Sequence, residues 1–303
     1  MKMNNILYHN PVLLKKSISE LITDPSGVYV DATYGGGGHS NGVLSKLSKK
    51  GKLFAFDQDL DSKKNLIKDA RLFFINANFK HLKKYLNYFK IFEVDGIIAD
   101  FGVSSYQLDI PSRGFSIMKD GPLDMRMSKG SDLTAENVVN EYDEKKLFKI
   151  LNEYGEVNHA KEIVKIILYH RKIKPIKSTS ELVKILDTSI KKFSKYKILA
   201  KIFQSIRIEV NNELEAIKLL LLQASEILKI KGRIVCISYH SLEDRLVKNF
   251  IRSGSFDNKD NRDFFGNIKK PLKKIGGLII PDFDEIKKNK RARSAKMRVA
   301  EKL

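Results

Sequence analysis

Three stretches of the chain combine residue types and spacings that allow chemistry. The first reads Asp31-Ala-Thr-Tyr-Gly35-Gly36-Gly37-Gly38-His39, directly after a β-branched apolar run and directly before a helical pattern. Glycines at such a junction remove side chains, so backbone amides can close on a ligand at a helix N-terminus, at the carboxyl edge where open α/β sheets bind ligands. The second is Asp57, at the end of the next strand pattern and roughly twenty residues beyond the glycines, where a carboxylate accepts hydrogen bonds from both hydroxyls of a ribose. The third is Asp100-Phe101-Gly102-Val103-Ser104-Ser105, which closes a further strand pattern.

A glycine run and a ribose acid are common to nicotinamide and S-adenosylmethionine sites, so the spacing has to discriminate. The dinucleotide pattern G-x-G-x-x-G is not met, because its third glycine falls on Ser40 or Asn41. A nicotinamide enzyme also needs a pyrophosphate site, whereas S-adenosylmethionine carries no phosphate and tolerates a tighter loop. S-adenosylmethionine is therefore the expected cofactor, and a nicotinamide-dependent oxidoreductase is the disfavoured rival. An acid such as Asp100 beside a sulfonium helps to hold the cation, and nearby carbonyls accept hydrogen bonds from an attacking amine. Asp-Phe-Gly also occurs in protein kinases, but no glycine loop of kinase spacing precedes it here and no His-Arg-Asp follows.

The elements that must position these residues follow from periodicity. Short strands are expected at 28–31, 52–57, 72–76 and 94–100, with helices at 39–47 and 81–88, the alternation of a doubly wound, mostly parallel α/β sheet. From 111 to 207 only helical patterns occur. Leu147, Ile150, Leu151 and Tyr154 form one stripe that stops at Gly155; Ala160, Ile163, Val164, Ile167 and Leu168 form another, ended before Pro175; Ser178 and Glu181 make a capping box for a third. Alternation resumes with a helix from Asn211 that Gly232 closes, a strand at 233–237, and last strands at 276–280 and 296–300. The expected organisation is a sheet domain in two parts, 1–110 and 208–303, interrupted by an all-helical insertion at 111–207.

The 303 residues carry a formal net charge of +20, which points to a polyanionic partner, although abundant Lys throughout the chain dilutes that signal. Arginine is more telling, since its fork pairs with phosphate and guanine, and it gathers at Arg113, Arg126, Arg207, Arg245 and the tail Arg291, Arg293 and Arg298. RNA is the partner expected. Cys236 is the only cysteine and sits in an apolar run, so neither a disulfide framework nor a thiol nucleophile is expected. The N-terminus is interrupted by Asn4, Asn5, His9, Asn10 and Pro11, no run is apolar enough to span a membrane, and a cytoplasmic location is expected. The scattered histidines show no metal-ligand spacing, and no catalytic metal is expected.

Longer segments carry a resemblance. HNPVLL from His9, DFGVSS from Asp100, RGFSIMKDGPLDMRM from Arg113, FQSIRIEVNNELEAI from Phe203, SYHSLEDRLVK from Ser238 and RARSAKMRVAE from Arg291 run in order along nearly the whole chain. Together they resemble the MraW family, also called ribosomal RNA small subunit methyltransferase H. The resemblance implies a class I Rossmann-like methyltransferase fold with a helical insertion, and N4-methylation of one cytidine in the decoding region of bacterial small-subunit ribosomal RNA, within an assembled or nearly assembled subunit. It places the family's Gly-Gly-His triplet on Gly37, Gly38 and His39, its ribose acid on Asp57, an adenine-side aromatic on Phe79, its strand-four acid on Asp100 and a glutamine on Gln107. The chain departs from the family pattern at Gly36, at Asn158-His159 and in a shortened stretch from Ser253 to Gly276.

Direct in-line transfer without a covalent enzyme intermediate is the expected mechanism. Cytosine N4 is a poor nucleophile, so the site must orient it and accept its hydrogen bonds, with Asp100 the candidate for part of that role. The base must also be unstacked, so the insertion is expected to grip flanking RNA. Arg113, Arg126 and Arg207 are candidate RNA contacts, with Asp124, His240 and Ser241 in segments expected to face the crevice. Structural pairings compete with each role: Asp124 with Arg126, and Glu243, Asp244 and Arg245 as a self-paired helix start. The tail from Lys287 to Lys302 is either a further RNA contact or a last strand with a solvated face. A catalytically silent RNA-binding protein on the same fold is the remaining alternative, against which the joint presence of Gly37, Gly38, Asp57 and Asp100 argues.

Overall fold

A computed structural model describes residues 11–187, 195–257, 266 and 270–303. His9, Asn10 and the earlier asparagines lie outside the described residues, as does much of the shortened stretch after Ser253. The described residues form two compact units, one of residues up to Gly102 together with Leu214–Leu303, the other of Val103–Glu213.

The first unit is built on strands β1 (Val28–Asp31), β2 (Lys52–Phe56), β3 (Leu72–Ile75), β4 (Val94–Asp100), β5 (Leu228–Ser238), β6 (Leu272–Ile279) and β7 (Lys296–Lys302). They lie in the order β3-β2-β1-β4-β5-β7-β6. The first five are parallel, and β7 runs antiparallel to both β5 and β6. Strand direction reverses its walk between β1 and β4, which makes their carboxyl ends a topological switch point. Residues of β4 from Val94 to Ala99 are all buried, as a central strand covered on both faces requires.

Helices cover the two faces. Alternate strand residues such as Val30, Phe54, Phe56, Ile97 and Cys236 face Leu82 and Leu86 of α3 (Leu82–Tyr88), Leu220 and Ala224 of α10 (Glu213–Ile227), and Val247 and Phe250 of α11 (Ser241–Ser253). Their neighbours Tyr29, Leu53, Ile98, Val235 and Ile237 face α1 (Leu14–Leu21), Val43 and Leu44 of α2 (Gly38–Leu44), and Ala292 and Ala295 before β7. The period-two split of each strand between two apolar layers is what fixes its register.

The second unit is helical: α4 (Ser105–Asp109), α5 (Ala135–Glu141), α6 (Glu144–Glu153), α7 (Ala160–Ile173), α8 (Thr179–Asp187) and α9 (Lys195–Asn211). Its own apolar core includes Leu147, Ile150 and Leu151 of α6, Ile163, Val164 and Ile167 of α7, and Ile202 and Ile206 of α9. The Ser178–Glu181 capping box forms, with the Glu181 amide donating to Ser178 Oγ at 3.2 Å and the Ser178 amide to Glu181 Oε2 at 3.3 Å.

Some expected limits shift. The units divide after Gly102 and after Glu213, where the breaker pattern put boundaries at 110/111 and 207/208. The difference arises because Ser104 and Gln107 cap α4 as the start of the helical unit and α9 runs unbroken to Asn211. Gly232 does not close a helix. Helix α10 ends at Ile227, and Gly232 lies inside β5, where Val94 pairs with Leu228 but Gly96 pairs with Arg233, so extra β5 residues bulge between them. Lys231 takes φ 65° there, and a Cβ on Gly232 would lie 2.9 Å from the Lys229 carbonyl oxygen, which leaves room only for glycine. Strand β6 also begins at Leu272, four residues before the expected start.

Candidate active site

The carboxyl ends of β1, β2, β4 and β5 bring together Asp31, Asp57, Asp100 and Tyr239 in the first unit, with Thr33, the glycine turn and His39 between them. Asp31 is fully buried; its Oδ1 accepts the Thr33 amide at 3.0 Å and its Oδ2 accepts Ser40 Oγ at 2.7 Å. This carboxylate ties both ends of the glycine turn and fixes where α2 starts.

The turn itself needs glycine for reasons internal to the protein. Gly37 has φ 76°, and a Cβ there would lie 2.7 Å from Tyr34 Oη; a Cβ on Gly38 would lie 2.2 Å from Pro11 Cγ. Gly35 also has positive φ, at 51°, and its amide donates to Asp57 Oδ2 at 2.7 Å. Asp57 Oδ1 accepts the Asp59 amide at 2.8 Å. Two backbone donors therefore hold Asp57 rigidly, while each oxygen keeps a lone pair for a hydroxyl donor. Burial drives its carboxyl up to about 7, only partly opposed by those donors, with Asp59 and Asp31 raising it further.

Asp100 sits where β4 ends, its amide donating to Thr33 Oγ1 at 2.7 Å. Its Oδ1 accepts Tyr239 Oη at 2.8 Å, and its Oδ2 lies 3.8 Å from His39 Nδ1. His39 is buried, with Nε2 3.1 Å from the Val12 carbonyl oxygen. A carbonyl only accepts, so Nε2 carries the hydrogen and Nδ1 is the atom turned to Asp100. Burial raises Asp100 to about 6, with His39 and Tyr239 pulling the other way, and Asp31 is raised by the same cause. One buried and two half-buried carboxyls held above their ordinary range form a group short of positive charge, which is the condition a cationic ligand relieves.

Phe79 stands in a short 3-10 turn capped by Asn78, its ring 6.2 Å from Phe101 and packed against the sheet's apolar layer. His240 caps α11; Glu243 Oε2 accepts the Tyr239 amide at 2.8 Å and the His240 amide at 3.3 Å, and Oε1 lies 3.1 Å from His240 Nε2. Ser241 is the exposed first residue of that helix. Asp244 is not paired to Arg245 as a self-contained helix start would have it: Arg298 of β7 donates to it through Nε at 2.6 Å and Nη2 at 3.1 Å. Burial pushes the Cys236 thiol up to about 12, which leaves it inert.

The remaining candidates lie in the helical unit. Gln107 is buried and closes a capping box, its Oε1 accepting the Ser104 amide at 3.0 Å. Arg113 is only 4% exposed, and its Nη2 donates to the carbonyls of Arg126 and Met127 at 2.9 and 3.1 Å. Arg126 makes a fork with Asp124, Nε to Oδ1 at 2.9 Å and Nη2 to Oδ2 at 2.8 Å, and also donates to the Ser131 carbonyl at 2.8 Å. Partial burial pushes Asp124 up, but the hydrogen bonds from Arg126 outweigh it and hold the carboxyl below its usual range. Arg207 forks onto Glu213 at 2.8 and 2.9 Å. Each of these arginines thus has an internal partner, and the structural pairing weighed for Asp124 is the one that forms.

Sequence reasoning passed over Tyr239, Thr33 and the bracing role of Asp31. Tyr239 carries no signal of its own in the chain: only the pairing of β5 beside β4, with Ile237 opposite Asp100, brings the residue two beyond the register partner to the same sheet edge.

Comparison with known proteins finds relatives along nearly the whole chain. A ribosomal RNA small subunit methyltransferase H of Flavobacterium johnsoniae is 52% identical over 98% of each chain, and that of Christiangramia forsetii is 51% identical over the same shares. The Bacteroides fragilis protein of that name is 46% identical over the full length of both. A solved rRNA methylase from Streptococcus thermophilus resembles the structure loosely, with a TM-score of 0.38 at 14% identity over 95% of this chain and 93% of that one. The pattern of the MraW methylase family matches residues 6–303, and with relatives at this identity over this length the chain belongs to that family.

Proposed function

We propose that this protein transfers the methyl group of S-adenosylmethionine to the exocyclic N4 of a cytidine in the decoding region of bacterial small-subunit ribosomal RNA. The observation that carries the cofactor is the set of Asp31, Asp57 and Asp100, three carboxyls at the switch point whose burial leaves them wanting a cation and hydroxyl donors. The substrate rests on family membership and on the names its relatives carry.

The residues fit the cofactor by their donor and acceptor chemistry. Asp57, fixed by the Gly35 and Asp59 amides, offers its remaining lone pairs to a ribose diol. Phe79 would offer an aromatic face on the adenine side. Gly37, Gly38 and His39 form the turn against which an amino-acid moiety fits. When bound, S-adenosylmethionine supplies a methyl group made electrophilic by a sulfonium cation.

Asp100 would provide negative charge for that cation, with Tyr239 holding its orientation and His39 close to its second oxygen. Backbone carbonyls after β4 would accept hydrogen bonds from the amine and so orient its N4 lone pair. The inert Cys236 fits a path without covalent addition to the ring. Titration with S-adenosylmethionine and with NADH tests the cofactor: binding of the former and not the latter is expected, and preference for NADH would overturn it. Nucleoside analysis after incubation with small ribosomal subunits tests the reaction, with N4-methylcytidine the expected product.

A further inference from the structure

The acids that line the site sit in a protein of formal net charge +20, so the surface that meets a polyanion has to be elsewhere than the crevice itself. The connector between β6 and β7 answers to that need. It contains a short helix, α12 (Phe283–Lys288), and a 3-10 turn over Lys290–Ser294. Within seven residues it carries Lys287, Lys288, Lys290, Arg291 and Arg293, and no acid stands among them. All five are exposed. Among the described residues no carboxylate partner is found for Lys287, Lys288, Lys290 or Arg293.

Packing turns these cations outward. Ala292 and Ala295, at 3-10 spacing, are buried in the apolar layer with Met297 and Val299, so the residues between them project to solvent. Buried Asn289 caps the turn by accepting the Arg291 amide at 3.1 Å. Two of the nearby acids are committed to the fold: Asp282 caps α12 by accepting the Glu285 amide at 2.8 Å, and Glu285 Oε1 accepts the Leu13 amide at 2.6 Å, while Asp284 is exposed on the first turn. Phe283, at the head of the helix, is 80% exposed.

Register places the connector at the active edge of the sheet. Strand β7 is antiparallel to β5, with Lys296 opposite Ser238, so the turn that feeds β7 lies at the carboxyl end of β5, where Tyr239 follows. Glu285 is anchored to Leu13, and the neighbouring Val12 carbonyl meets His39, which faces Asp100. The cationic turn therefore rims the acidic crevice within one unit.

We propose that the connector from Phe283 to Arg293 is a docking rim for single-stranded RNA, in which Lys287, Lys288, Lys290 and Arg293 take phosphates and Phe283 stacks on a base flanking the target. This rests on the reading that the substrate is RNA. Exposed cations with an exposed aromatic beside them are the composition of a single-strand platform, where stacking tolerates any base and the cations track the backbone. The rim also explains how one edge serves two opposite charges, a cation within and a polyanion across the mouth.

The test is a quadruple variant, K287A/K288A/K290A/R293A, and separately Phe283→Ala, in the full chain. Affinity is measured for a 12-nucleotide single-stranded RNA across salt concentrations, beside S-adenosylmethionine affinity, thermal melting and methyl transfer to small subunits. The quadruple variant is expected to bind RNA at least tenfold more weakly at low salt. The slope of log affinity against log salt should flatten by about 0.7 per cation removed, close to 3 in all. Phe283→Ala should weaken RNA binding about tenfold without changing the slope. Both should keep cofactor affinity and melting temperature. RNA affinity and salt slope equal to the wild type would overturn the rim. A wild type that binds RNA but modifies none would instead overturn the proposed reaction, and the variants' binding would still decide the rim; a wild type that binds no RNA would overturn both.

Discussion

Lowering the pH from 8 to 6 should weaken cofactor binding far more than the cofactor's own titration allows. Asp57 is raised to about 7 and Asp100 to about 6, and both must be ionised to accept hydroxyls and face a sulfonium. At pH 8 Asp57 is about nine-tenths ionised and at pH 6 about one-tenth, a loss of about tenfold in affinity; Asp100, half protonated at pH 6, adds about twofold. Isothermal titration at both pH values, in buffers of different ionisation enthalpy, reads the affinity and the protons released. The amino group of the ligand titrates in the same window, so wild type is compared with Asp57→Asn, in which the ligand's own term cancels. The variant should bind weakly at both pH values and lose the tenfold component. The same group leaves a mark on stability. The folded empty protein holds the Asp57 proton more tightly than the unfolded chain, so this group's contribution is most favourable below about pH 4 and is lost as pH rises toward 7. Stabilisation by added cofactor should therefore be larger at pH 8 than at pH 6. Equal pH dependence in wild type and Asp57→Asn would refute the assignment of Asp57.

Other outcomes follow from single contacts. Tyr239→Phe removes the 2.8 Å hydrogen bond to Asp100, a charge-assisted bond worth about 1.5–3 kcal/mol, and should lower the melting temperature and, by releasing Asp100 from its orientation, weaken cofactor binding; unchanged affinity would take Tyr239 out of the site. Gly37→Ala forces a side chain into φ 76° and against Tyr34 Oη, at a cost of about 1–3 kcal/mol in denaturant unfolding, and a neutral result would mean that the turn relaxes freely. Arg113→Ala leaves two carbonyls without their buried donor, and should lower stability by about 2–3 kcal/mol while cofactor affinity holds. Normal stability with lost RNA binding would return Arg113 to the RNA interface.

The sheet was legible because its strands are short, apolar and punctuated. Val28–Asp31 and Val94–Asp100 fall where they are expected, since each is a short stretch rich in Val, Tyr or Ile that ends on an acid. Asp57 and Asp100 were legible for a related reason, as acids that end strands facing a switch point. Less local features were hidden. No pattern in the chain signals that Asp31 clamps Ser40, or that Tyr239 reaches Asp100 across 139 residues. The Gly232 bulge reads as a helix stop because glycine serves both purposes, and only the register against β4 distinguishes them. Arginine spacing suggested RNA contacts at Arg113, Arg126 and Arg207, yet a guanidinium that forks onto phosphate forks equally well onto Asp124 or Glu213, and the folded chain supplies those partners itself.

The most direct test is methyl transfer from labelled S-adenosylmethionine to small ribosomal subunits that lack the modification, with mass mapping of the labelled nucleotide and Asp100→Ala as control. A methyl group on cytosine N4 in the decoding region, absent with the control, is the expected result. Label on another atom or nucleotide, or none from protein that binds the cofactor, would contradict the proposed reaction.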